Sequence, residues 1–496
     1  MTLGKLLLII GIAALVLTLI VHFAFKKIKN WPMSYLQNFA GALFIFSGWV
    51  KAIDPLGTAY KMEQYFAEFE STFSETWFSF VAPLFPWLSE YALGFSVFMI
   101  VLEIALGMML ITGTLRKFTA WTFFLIVFFF TFLTGFTFLT GYVPDGVNFF
   151  QIGQWGPYVE TNMKVTDCGC FGDFIKLKPK TSFLKDVFLL IPAVLFLFAY
   201  KQQHQLFNGF TRLLITGLTI AGVSLYSFSN FSWDLPHTDF RPFKEGVNVQ
   251  ERKNLETEAA GNVEILAYKM TNKSTNEVIE LPFDQYMKEF KKYPKEEWQL
   301  EQIRSEPTLE RTKISDFEVS DQDGNDATET ILSEEGYSFM VVAYRLYGED
   351  GKGIQMVTDT VYQVDTIQVT PDSFYLNKSI LATNKRQLQI DTYSWEQAYI
   401  KPWVDVVNPI MEAAEKDGFT TLALTAYSDY SRIDDFRHTT QSAYPFYTAD
   451  DILLKTIVRS NPGLVLLKNG EIIKKWHHKK IPSYEEIKSE YLIIGN

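Results

Sequence analysis

The chain has 496 residues, a net charge of −11 and a mean hydropathy of +0.04, averages that join two unlike halves. Residues 1–229 are mostly apolar and carry 15 Lys+Arg against 12 Asp+Glu, whereas the remainder carries 30 against 44. This is the pattern of a membrane domain joined to an acidic soluble one, and the acidity argues against nucleic acid and anionic lipid as partners, because both repel it.

Apolar stretches near residues 4–25, 33–50, 90–113, 118–141, 183–200 and 210–229 predict six membrane-spanning helices. The first lacks a small-residue cleavage site and its lysines follow the apolar run, so it reads as a retained helix rather than a signal peptide. Residues 72–88 (Thr72 to Leu88) are aromatic enough to lie along an interface. Lys26, Lys27 and Lys29, then Arg116 and Lys117, then Lys201 and Arg212 mark three cytoplasmic turns. The loops 51–89 and 142–182 and everything after 229 then lie outside the cytoplasm. Lys164, Lys176, Lys178 and Lys180 in the second outer loop pull against that orientation.

Both cysteines of the chain, Cys168 and Cys170, lie in that loop, within Thr166-Asp-Cys-Gly-Cys-Phe-Gly172, with Asp167 as a supporting neighbour. A disulfide across one residue forces a bend that glycine tolerates best, and its strain suits a reactive bond. So short a loop removes little unfolded-state entropy, which makes a stabilising role a poor use of it. Free thiols or a passive link are the alternatives. A metal site is not indicated, since two thiolates need two further ligands and the loop holds no histidine. Lys185 and Asp186 open the fifth span beside the loop, either to stabilise a thiolate or as interfacial anchors. Glu103 sits deep in the third span, where a carboxylate costs about 3 kcal/mol unless paired, so it reads as a functional group or as a protonated packing contact. Lys51 and Asp54 read as an interfacial ion pair, with Pro55 ending the helix.

Phe44, Gly48, Lys51, Asp54 and Pro55 form a Phe-x-x-x-Gly-x-x-Lys-x-x-Asp-Pro pattern, Glu103 and Gly107 a Glu-x-x-x-Gly pattern, and Cys168 to Gly172 a Cys-Gly-Cys-Phe-Gly element. In this order they resemble the DoxX family and its relative MauE over roughly residues 33–200. The resemblance implies a four-helix membrane module of thiol or quinone redox chemistry, MauE being linked to disulfide formation in an exported partner. It thus implies a bacterial inner-membrane protein with a periplasmic C-terminal domain, Cys168 and Cys170 as a redox pair, quinone as the candidate cofactor, and exported or envelope proteins as partners, with a larger inner-membrane complex as a further expectation.

After the last span, Asp239 to Val249 reads as an extended tether, and 230–310 as a tether with a small β-rich region in which Val263 to Tyr268 suggests a short hairpin. From 311 to 496 the pattern is α/β. It has a buried strand Tyr337 to Tyr344, a helix near 395–416, a strand Thr420 to Tyr427, a helix through Asp434, a segment Leu453 to Arg459, and a hairpin Asn461 to Ile473 closed by Asn469-Gly470. An insertion occupies 348–394. A proline opening such a strand and Lys-Asn-Gly closing it resemble the thioredoxin fold, with Pro462 at its cis-proline position and a partner-binding groove implied beside it. Where thioredoxins carry Cys-x-x-Cys this chain has Arg345-Leu-Tyr-Gly348, and no cysteine follows Cys170, so dithiol exchange within the domain is excluded. His477 and His478 read as solvated strand residues, or, because neighbours in a strand alternate faces, as one solvated and one buried.

Two functions compete on this reading. One is a membrane oxidoreductase of envelope thiol/disulfide chemistry or protein folding. The other is a non-catalytic, membrane-anchored scaffold or chaperone-like subunit of a protein export or envelope biogenesis complex. Small-molecule transport rests on Glu103 alone.

Overall fold

The computed structural model of the chain describes all residues except 166–168, 276, 371–372 and 493–496, and the side chains of 368–370 and 373. Two compact units emerge, Met1–Lys244 and Glu245–Asn496.

The first unit is helical: α1 (Leu3–Ile20), α2 (Trp31–Ile53), α3 (Pro55–Ser74), α4 (Ala92–Thr112), α5 (Arg116–Thr140), α6 (Pro179–Ala199) and α7 (Gly209–Ser232). Five stretches are long and apolar enough to cross a membrane, Leu3–Phe25, Ala92–Thr112, Arg116–Thr140, Pro179–Gln202 and Gly209–Ser232, and a sixth is reached if α2 and α3 count as one span bent by 95°. This is consistent with a membrane protein. The predicted loop 51–89 is largely helix, because α3 follows α2 after a single residue. Proline disfavours a helical conformation at Asp54, which ends α2, and is itself tolerated at the first position of α3, where its missing N–H is not needed. The Asp54 carboxylate then caps α3 by accepting the Gly57 N–H at 3.0 Å.

Small residues set the spacing of α2 and α4. A Cβ on Gly48 would lie 2.5 Å from Ile104 Cγ1, and one on Gly107 2.6 Å from the Gly41 carbonyl, so the two backbones approach where only glycine fits. The Gln37 amide donates to the Leu110 carbonyl at 2.6 Å and ties the same two helices near the end of α4. Phe44, Phe123, Phe196 and Leu106 fill the bundle, and Phe171 from the cysteine loop is buried among them.

In the second unit, backbone bonds join Gly246 and Val247 to Ile472, at 2.7 and 2.9 Å, so the end of the predicted tether docks on a sheet. A helix, α8 (Val249–Gly261), follows. The region read as a short hairpin is an antiparallel three-stranded sheet of β1 (Ile265–Asn272), β2 (Val278–Pro282) and β3 (Trp298–Arg304), in the order β2-β1-β3.

The larger sheet has six strands in the order β11-β10-β5-β8-β9-β4. These are β4 (Val319–Ser320), β5 (Tyr337–Ala343), β8 (Thr420–Thr425), β9 (Phe446–Ala449), β10 (Gly463–Lys468) and β11 (Glu471–His477). β5 runs parallel to β8 with Met340 opposite Leu422, and antiparallel to β10 with Phe339 opposite Leu466. Every residue of β5 is buried, as expected of a central strand covered on both faces. Helices α9 (Asn408–Lys416), α10 (Tyr430–Thr440), α11 (Asp451–Ile457) and α12 (Tyr484–Tyr491) accompany it, and Phe339, Val341, Trp403, Phe436 and Leu464 belong to one core. Asn469 and Gly470, at φ 50° and 76°, make the predicted turn between β10 and β11, and the Asn461–Pro462 peptide is cis. Of the two adjacent histidines His477 is the buried one, at 3% exposure, because the end of β11 is covered.

The insertion is a two-stranded ribbon, β6 (Gly348–Thr370) with β7 (Ser373–Trp395). Strands of 23 residues extend about 75 Å at ~3.3 Å per residue.

Candidate functional site

Packing of α2 on α4 brings the Lys51 ammonium to Glu103 Oε1 at 2.5 Å, with both side chains under a tenth exposed. The carboxylate that meets Lys51 is thus Glu103, in place of the expected Asp54, which instead serves as the cap of α3. The pairing arises because Gly48 lets the helices close just one turn before Lys51, opposite Glu103 and Ile104. Lys51 also lies 5.2 Å from the centre of the Phe130 ring.

Ser47, one turn from Lys51, links this pair to the cysteine loop. Its hydroxyl donates to the Cys170 carbonyl at 2.9 Å and lies 3.3 Å from Glu103 Oε2. Gly169 and Gly172 adopt φ +61° and +51°, conformations in which a side chain is strained, and so let the chain bend on either side of Cys170. From α6, Lys185 pairs with Asp186 at 2.6 Å and lies 5.5 Å from the centre of the Phe171 ring. Asp186 Oδ2 in turn accepts from Thr134 on α5 at 3.1 Å.

These groups share one cavity of about 90 Å³. Its polar lining includes Lys51, Glu103, Cys170, Lys185 and Asp186, and its apolar wall includes Leu43, Phe44, Met99, Leu133 and Leu189. Each of the two pairs balances an ammonium with a carboxylate, so the cavity gathers charge without a large net charge from these four groups. Cys170 is half-buried with a free thiol. Burial pushes that thiol up from its ordinary value, and the nearby Lys185 ammonium pulls it the other way.

Of the residues singled out in the sequence, Lys51, Glu103, Lys185 and Cys170 come together here. Asp167 and Cys168 lie outside the described residues. Pro462 belongs to the second unit, at the start of β10, where its carbonyl accepts from Ser460 Oγ at 2.5 Å and Asn461 donates to the Arg345 carbonyl at 2.7 Å.

Sequence reasoning missed Ser47, Thr134 and Tyr65 as participants. A signal existed for Thr134: threonines at 131, 134, 137 and 140 recur every third residue of an otherwise apolar helix, placing hydroxyls along one side. Thr137 meets the Tyr65 hydroxyl at 2.9 Å, which brings α3 against α5 beside the cavity. For Tyr65 no such signal was present, because α3 read as a loop.

In comparisons with known proteins, the chain matches no family model, no curated protein and no solved structure.

Proposed function

We propose that the chain is a DoxX/MauE-like membrane protein of envelope thiol/disulfide chemistry, with Cys168 and Cys170 as its redox pair. The observation that carries this reading is that Cys170 lines one cavity with a largely apolar wall together with two ammonium–carboxylate pairs, Lys51–Glu103 and Lys185–Asp186. Ionisable groups within an apolar bundle are expensive, and a cluster of four beside a thiol supports a functional site there.

Oxidation of the two thiols forms one S–S bond and releases two electrons and two protons. In the proposed cycle the disulfide passes to thiols of an exported protein, and the reduced pair is reoxidised by a membrane carrier such as quinone. The residues present fit such a carrier. The apolar wall would take a ring, the Lys51 and Lys185 ammoniums would hold its oxygens, and Thr58 Oγ1, buried without a hydrogen-bond partner among the described residues, belongs to a residue lining the same space. When bound, the carrier supplies an acceptor for two electrons and two protons. Ser47 holds the cysteine loop through the Cys170 carbonyl, and the same hydroxyl lies 3.3 Å from the Glu103 carboxylate that pairs with Lys51.

For the second unit we propose a periplasmic thioredoxin-like domain without its own cysteines, which holds an exported or envelope protein beside Pro462. The parallel β5, β8 and β9, the antiparallel β10–β11 hairpin and the flanking helices support this reading. A non-catalytic scaffold remains the second reading, favoured by the lack of any cysteine after Cys170.

Differential alkylation of Cys168 and Cys170 in intact membranes, across graded thiol/disulfide buffers, separates the two. A midpoint of roughly −120 to −200 mV is expected of an exchange catalyst. Thiols that never oxidise, or a bond that resists reduction below about −300 mV, would sink the redox reading in favour of the scaffold.

A further inference from the structure

The β6–β7 ribbon has a firmly seated root and an unsupported arm. At the root, the Arg432 guanidinium lies 4.7, 5.0 and 5.6 Å from the rings of Tyr427, Trp395 and Tyr393. It donates to the Leu346 and Gly348 carbonyls and to Asp350, while the Trp395 indole donates to Asp435 at 2.7 Å. Farther out the support ends: residues 361–367 and 374–389 are all exposed. Tyr362, Leu376 and Ile380 are exposed apolar side chains on a single face, because Tyr362 opposes Ile380 and Thr366 opposes Leu376.

Two strands alone are marginal in water, whereas three or more with an apolar face are not. Among the described residues neither outer edge of the ribbon carries a third strand, so both edges present open N–H and C=O groups. Charge selects what can add there. β6 carries four acidic residues and one basic, and β7 three basic and one acidic. Within the ribbon Arg386 already reaches Asp359 at 2.6 Å. An edge meeting its own kind would set Asp359 and Asp365, or Lys378, Lys385 and Arg386, against themselves, which is unfavourable across strands.

We propose that the arm pairs with the arm of a second copy of this chain, β7 of one against β6 of the next, continuing the ribbon as an antiparallel sheet. The two arms then point the same way, and Arg386 lies between the Asp359 of its own arm and that of its neighbour. Because unlike edges meet, the contact repeats from copy to copy and builds a ring or a row.

The test uses two differently tagged full-length chains, each with Cys168→Ser and Cys170→Ser, co-expressed in membranes and treated with a short bismaleimide. One carries Thr360→Cys on β6, the other Thr383→Cys on β7. The cross-tag product is expected to exceed, by roughly fivefold, that from two Thr360→Cys chains or from two Thr383→Cys chains. Adding Lys385→Glu and Arg386→Glu to the β7 partner lowers the product, and Asp359→Lys in the β6 partner recovers it. Limited proteolysis of the charge-reversed chain reports whether its second unit still folds; if it does not, the comparison of the three unreversed pairings decides alone. No cross-tag product, equal product in all three pairings, or adducts to other proteins only would each overturn the proposal.

Discussion

The helical unit and the sheet unit bury polar groups in opposite ways. In the first, Lys51, Glu103 and Asp186 are all buried in an apolar bundle and, with Lys185, surround one cavity. In the second, the core around Phe339, Trp403, Phe436 and Leu466 is apolar, and the buried charges, among them Glu256 paired with Arg252 at 2.7 Å and Arg432 at the root of an inserted ribbon, share no such cavity among the described residues. A buried ion pair is a weak way to gain stability, because desolvation offsets much of the attraction. Under the proposed function the pairs around the cavity of the helical unit serve its chemistry, while the apolar core of the sheet unit serves stability.

The strongest way to break this contrast is to remove one member of a pair. Lys51→Met leaves Glu103 buried without its cation and should cost about 3–5 kcal/mol, read as a lower unfolding temperature in detergent. The double change Lys51→Met with Glu103→Leu should recover most of that stability while leaving thiol exchange impaired. Equal losses in the single and double variants would show that the pair is not coupled.

Phe436→Ala should cost a similar ~3–5 kcal/mol in the sheet unit by opening a cavity beside Trp403, whose ring lies 5.1 Å away. The unfolding of the helical unit should not move, and a shared shift would count against two separate cores. A smaller effect is expected of Gly48→Val, about 1–3 kcal/mol from overpacking against Ile104. By pushing α2 from α4 it should also loosen the Ser47 contact and raise the alkylation rate of Cys170.

A further test concerns pH. Burial, reinforced by Lys479, holds the His478 imidazole at about 4, below its ordinary 6.5. The unfolded chain therefore takes up this proton first as pH falls. The contribution of His478 is full above about pH 6.5 and is lost as pH falls toward 4. Unfolding of the second unit should become easier across that window, and less so in His478→Gln; identical pH profiles for both proteins would remove His478 from the account.

Much of the fold was legible because its signals are local. Apolar runs marked the five long helices, and Asn469-Gly470 marked the β10–β11 turn, since both depend only on neighbouring residues. α3 was missed because Pro55 to Ser74 mixes Lys61, Glu63, Glu68 and Glu70 with its aromatic residues, a pattern that reads as an outer loop. The ribbon was marked as an interruption without a structure of its own, its strands being too exposed to show a buried face. At the site, residue types singled out Lys51, Glu103, Lys185 and Cys170, which line one cavity, yet they paired Lys51 with Asp54 where the structure pairs it with Glu103. Asp54 is nearer in sequence, but helix geometry turns it to cap α3.

By itself, then, the sequence determined the division into an apolar and an acidic half, the positions of most helices and strands, and which ionisable side chains fall within the apolar half. Hydropathy, charge and turn preference are properties of short stretches and need no partner. Tertiary structure alone decided that Gly41, Gly48 and Gly107 bring α2 to α4, that Lys51 meets Glu103, and that Ser47 and Thr134 join the cluster. Those outcomes depend on how closely two helices approach and how they are rotated, quantities set by packing between residues far apart in the chain.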